Sequence, residues 1–147
     1  MRVSRYSLLA ILASFVFATP SEACRVYRSP EQRIADGYRS GAISAVALVT
    51  IESATYTSEP FGDSHPWSAT AKIDRVLRGA YQTKSVSFVR GWGSAACDDG
   101  HSAPKAGDRW VVYFWKPAER EQEAWVTYPL DIAALADPSV LAADVLR

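Results

Sequence analysis

The sequence predicts a mainly β domain, a single five-stranded barrel with one short helix before it and helices after it. Three observations lead there. Between residues 42 and 128 there are five runs rich in β-branched and aromatic residues, separated by stretches holding Gly, Pro, Asp and Ser. Helical punctuation is confined to the two flanks of that region. Finally, 124 residues follow an export-type leader, a length that suits one domain with a core of its own.

Residues 1–23 read as the leader, a secretory signal peptide. Arg2 and Arg5 form a basic start, and Leu8 to Ala18 is an apolar run too short to span a bilayer. Pro20 ends the run, and Ser21-Glu22-Ala23 supplies small residues for cleavage after Ala23. A rival site follows Ala18. Cleavage after Ala23 makes Cys24 the first mature residue. A cysteine there also suits lipid attachment, but that signal wants an apolar residue where Ser21 stands. The chain carries 16 Lys+Arg and 16 Asp+Glu, and removing Arg2, Arg5 and Glu22 leaves one more acid than base. Such a balance offers no footprint for nucleic acid or an anionic membrane. No later apolar run is long enough to cross a membrane. Export implies an oxidising compartment, in which the two cysteines read as one bond, Cys24–Cys97, the alternative being two free thiols. Closing a loop of that length contributes about 4 kcal/mol on a chain-entropy argument.

The elements follow in order. Ser29-Pro30-Glu31-Gln32 is a helix start with a capping box. Ile34 and Tyr38 share one face, and Gly41 is the stop. Ala42 to Tyr56 is a long strand. Thr57 to Pro66, with two prolines and Gly62, is a protruding loop. Trp67 to Leu77 alternates, with Ala69, Ala71 and Ile73 on one side and Thr70, Lys72 and Asp74 on the other. Val76-Leu77 breaks that alternation, as a bulge or a strand end does. Arg78-Gly79-Ala80 turns the chain into Lys84 to Arg90, where Val86 and Phe88 face one way. Gly91 to Asp108 is a glycine-rich loop carrying Cys97. Arg109 to Trp115 is nearly all apolar, the pattern of a strand covered on both faces, with Trp110 and Trp115 expected in the core. Ala124 to Tyr128 is the fifth strand. Asp131 to Arg147 reads as two short helices split at Asp137-Pro138, with Asp137 capping the second. Five strands with flanking helices match a partly open Greek-key barrel, the OB-fold. An immunoglobulin-like sandwich wants about seven strands.

Five local features then fall in a telling order: Cys24 opening the mature chain, the AxAKIDRVLRG stretch at 69–79, GSAAC at 93–97, GDRWVVY at 107–113 and YPLDIAAL at 128–135. In that order they resemble bacterial relatives of the tissue inhibitors of metalloproteinases, in the netrin-like OB-fold group. The resemblance covers most of residues 24–136. It implies the Cys24–Cys97 bond, and an inhibitory ridge made of Cys24, Arg25 and Val26 with Ala95, Ala96 and Cys97. In that family the α-amine and carbonyl of the first residue chelate a target protease's zinc. A free α-amine, with a pKa near 7.7–8.0, deprotonates at a metal at modest cost. The Thr57–Pro66 loop would add contact. The sequence also departs from the pattern. Val26 stands where a second cysteine is usual, the second residue is Arg25 rather than a small hydroxyl residue, and the animal proteins' second domain is missing. A buried guanidinium needs an acidic partner in the target pocket.

Other constellations are weaker. Cys97-Asp98-Asp99-Gly100-His101 reads as a solvated Asp-Gly turn rather than a calcium contact, and His65 and His101 as surface residues of loops. No nucleophile elbow, HExxH, phosphate loop or CxxC is present. Trp67 and Trp92, at strand ends beside loops, are the better candidates for an exposed aromatic binding surface, although packing at the barrel's edge is the reading favoured for both. The expectation is an exported, non-enzymatic binding module with no catalytic residues, no metal of its own and no cofactor. Its partner is a protein, with a metallopeptidase as the sharper alternative and a glycan as another. An enzyme ranks last.

Overall fold

The structure is a computed structural model, and it describes residues 28–57, 67–90, 102–115 and 123–145, without the side chains of 125 and 143–145. Helix α1 (Pro30–Arg39) starts as the sequence demands. The Ser29 hydroxyl accepts from the Gln32 amide at 3.3 Å, and the Gln32 side chain accepts from the Ser29 amide at 3.1 Å. Its end is a Schellman motif: Ala42 N–H donates to the Gly37 carbonyl and Gly41 N–H to that of Tyr38, with Gly41 at φ +70°.

The strands are β1 (Ile43–Tyr56), β2 (Trp67–Arg78), β3 (Ser85–Arg90), β4 (Arg109–Trp115) and β5 (Glu123–Pro129), followed by α2 (Leu130–Ala136) and α3 (Ser139–Val145). They form one antiparallel sheet in the order β3-β2-β1-β4-β5. The first and last strands, β3 and β5, approach each other, so the sheet curls into a nearly closed barrel. The 14 residues of β1 pair with β4 over its first part and with β2 along most of its length. Three register shifts against β2 let so long a strand bend with the curling sheet. One of them skips Leu77, so the broken alternation at Val76-Leu77 is a bulge within the strand.

Two layers of core follow from the pleat. Ala45, Ala47, Val49 and Ile51 of β1 point inward with Ala69 and Ala71 of β2, Val86 and Phe88 of β3, and Trp110, Val112 and Phe114 of β4. The alternate residues Val46, Leu48, Val111, Tyr113 and Tyr128 point outward, where Ile34 of α1, Ala133 of α2 and Val140 of α3 cover them. Strands β1 and β4 are apolar on both faces because each lies between the barrel interior and the helical layer. Trp115 departs from expectation. It ends β4 beyond the helical cover and is 43% exposed.

The β2–β3 turn closes one end of the barrel. Gly79 has φ +72°, and a Cβ there would stand 2.2 Å from the Ser44 carbonyl oxygen, so the turn requires glycine on both counts. Tyr81 then stacks on Phe114 with ring centroids 4.0 Å apart.

A candidate binding end of the barrel

The opposite end of the barrel is where the β1–β2 and β3–β4 connections depart. Tyr56 pairs with Trp67, and Trp67 pairs with Arg90, so the described anchor points of both connections lie side by side across three strands. Behind them is an aromatic plug. Trp67 meets Phe88 and Trp110 edge-on at 6.1 and 5.7 Å between centroids. The chain returns from the second connection through Ser102, and the Ala103 amide donates to the Tyr56 hydroxyl at 3.3 Å. Lys105–Asp108 forms a tight turn, with the Asp108 carboxylate accepting from the Lys105 amide at 2.8 Å. Gly107 N–H and the Asp108 carbonyl then bond to Ile51, extending the β1–β4 pairing outward. Beside this turn lies an open cleft of about 390 Å³ lined by Ala103, Pro104, Arg109, Trp110, Pro129 and Asp131, among others.

Arg90 holds the rim of this end. Its guanidinium reaches from β3 to β5 and donates to the Thr127 carbonyl. It lies over two rings, 5.7 Å from the centroid of Trp110 and 5.2 Å from that of Tyr128. Sequence reading missed it because the contact joins residues 37 apart. An arginine ending a strand between two aromatic-rich runs is the sole local hint.

The helical layer contains a second polar cluster. Asp137, 8% exposed at the α2–α3 junction, accepts from the Tyr38 hydroxyl at 2.8 Å and the Tyr113 hydroxyl at 3.4 Å. It also caps α3 through the Ser139 amide at 3.2 Å, as expected. Arg78 lies over the Tyr38 ring at 4.5 Å. Burial, first, and then the hydrogen bond and negative charge of Asp137 hold the Tyr38 proton well above the ordinary phenol range, with Arg78 opposing. Tyr113 is pushed up in the same way, by burial first and then by the charge of Asp137. The cluster joins α1, β4 and the junction of the C-terminal helices through one carboxylate.

Of the sequence-derived site residues, Cys24, Arg25, Val26, Trp92, Ala95, Ala96 and Cys97 lie outside the described residues, as do His65, Asp98, Asp99 and His101 and nearly all of the 57–66 loop. Trp67 is described, and of the two readings its packing favours the buried one over an exposed aromatic surface: it is 0% exposed. Its place as the first residue of β2 suggests an edge, but its side chain points inward with Ala69 and Ala71 and fills the barrel's mouth. Among the described residues, no three His, Cys, Asp or Glu side chains are grouped to hold a metal ion, and no helix is long and apolar enough to cross a membrane. No protein-family model matches the chain, and neither a curated protein nor a solved structure does.

Proposed function

We propose that the chain is an exported, non-enzymatic binding module of the cell envelope, built on a netrin-like OB barrel related to the metalloproteinase inhibitors. It meets a protein partner through the end of the barrel where the β1–β2 and β3–β4 connections depart. The observation that carries this reading is the Tyr56–Trp67–Arg90 row. It roots both connections on neighbouring strands above a packed aromatic plug, and segments mounted on a rigid scaffold are where proteins place binding residues. The OB assignment is supported by the strand order, in which the long β1 is shared between β2 and β4 and the outer strands β3 and β5 turn toward each other.

The test is a photo-crosslinking residue placed in turn at Thr57 and Ser102 beside those connections, and at Lys84 on the opposite end, in cells that export the protein. Adducts of protein size from the first two positions and not from Lys84 are expected. Adducts from Lys84 alone, or from none of the three, would reject the reading.

Zinc chelation by Cys24 is the sharper alternative. Intact mass with and without reductant should show a mature chain beginning at Cys24 that gains two hydrogens on reduction. Inhibition of a metallopeptidase that disappears when one residue is added before Cys24 would establish chelation. Inhibition indifferent to that addition, or a chain starting at Thr19 or lipidated at Cys24, would remove it.

A further inference from the structure

We infer that Arg90 is the latch of the barrel seam, and that by closing the seam it sets where the chain leaves β3 at the binding end. Strands β3 and β5 are the two edges of the sheet's pairing order, each laddered to one neighbour, β2 and β4 respectively. Facing edges present outward N–H and C=O groups that want partners. The Arg90 guanidinium supplies one: it donates to the Thr127 carbonyl, with Thr127 Oγ1 at 3.5 Å. The same group lies against Trp110 of β4 and Tyr128 of β5, so one side chain from β3 touches both strands beyond the seam. Arginine suits this place because its planar fork donates to oxygen while its faces stack on rings. Lysine keeps the charge and loses the fork and the stacking. Because Arg90 is also the last residue of β3 and pairs with Trp67, the latch acts at the row from which the connections depart. The consequence for binding rests on the function proposed above, whereas the closing of the seam does not.

Hydrogen exchange on the full mature chain tests it with Arg90→Lys, and with Arg90→Met should the first change be too mild. A bond to a charged donor is worth enough that its loss should speed local opening about tenfold to a hundredfold. The amides of residues 85–90 and 126–128 should exchange faster by that factor, while those of 45–49 and 111–113 stay as in the parent. An even rise across all four segments, or no rise at the seam, would overturn the latch. In parallel, the Ser102 crosslink should weaken in Arg90→Lys. An unchanged Ser102 yield with an opened seam would refute the link to binding. If the parent itself gives no adduct at Thr57 or Ser102, the functional reading fails and exchange still decides the latch.

Discussion

The Tyr38 hydroxyl donates to the Asp137 carboxylate at 2.8 Å across 99 residues of chain, joining the first helix to the junction of the last two. Tyr113 adds a second hydroxyl to the same oxygen, and Ser139 binds the other through its amide and its hydroxyl. Asp137→Ala would leave two phenols and a helix cap without their acceptor in a mostly buried place. A loss of about 3 kcal/mol is expected. Tyr38→Phe, which removes a single bond, should cost about 1 kcal/mol. Urea unfolding of both variants and of the double variant would measure the coupling. A cost under about 0.5 kcal/mol for Asp137→Ala, the range of ordinary surface changes, would show that the cluster fastens nothing.

The same cluster predicts an alkaline limit. Tyr38 and Tyr113 are both pushed above the ordinary phenol pKa of about 10, so the folded state keeps two protons that the unfolded chain releases. The unfolded state then binds fewer protons, and stability falls as pH rises from about 10 upward, while below that the contribution is fully present. Urea midpoints should therefore be flat from neutral pH to about 9.5 and drop steeply beyond it. Tyr113→Phe should flatten that drop, since it removes the more buried phenol. An equal drop in the variant would assign the alkaline loss to other groups.

Two glycines with positive φ separate strain from collision. At Gly41 an added Cβ meets nothing within 4 Å, so Gly41→Ala should cost the backbone strain alone, about 1 kcal/mol. At Gly79 the same atom would collide with the Ser44 carbonyl at 2.2 Å and the Ala45 Cα at 2.9 Å, both backbone of β1. Neither can yield without disturbing the β1–β2 pairing, so Gly79→Ala should lose more than about 3 kcal/mol or fail to accumulate folded. Thermal unfolding of the pair decides it, and similar melting temperatures would contradict the collision.

What the sequence made legible was set by local chemistry. The capping box at Ser29 and Gln32, the stop at Gly41, the break at Asp137-Pro138 and the apolar run of β4 each depend on neighbours a few residues away, and each appears where expected. What escaped depends on distant pairing. The sequence places Tyr38 on a helix face with Ile34 and makes Asp137 a cap. Nothing near either residue says that the hydroxyl of one seeks the carboxylate of the other. A tyrosine on a buried helix face does imply some partner for its O–H, which is the signal that could have been followed. Arg90 is the same case, a strand-end cation whose meaning comes from Thr127 and Tyr128 on β5. The ridge expected from Cys24 and Cys97 belongs to segments outside the described residues, so the candidate site is defined by its anchors.

Trp67 turns that lesson into a prediction. As an exposed stacking residue it would be cheap to remove and costly to binding. As the plug between Phe88 and Trp110, fully buried, it should behave in the opposite way. Trp67→Ala should lose about 3–5 kcal/mol, since the side chain's packing goes and a cavity opens at the barrel's mouth. Trp67→Phe should retain the fold at a smaller cost. Changes at exposed apolar residues, Val89→Ser on β3 and Leu135→Ser on α2, should stay within about 0.5 kcal/mol. Under conditions where Trp67→Phe is fully folded, its crosslinking from Thr57 and Ser102 should equal the parent's, because the ring supports the proposed binding end from within. A folded Trp67→Phe that had lost its adducts would return Trp67 to the contact surface.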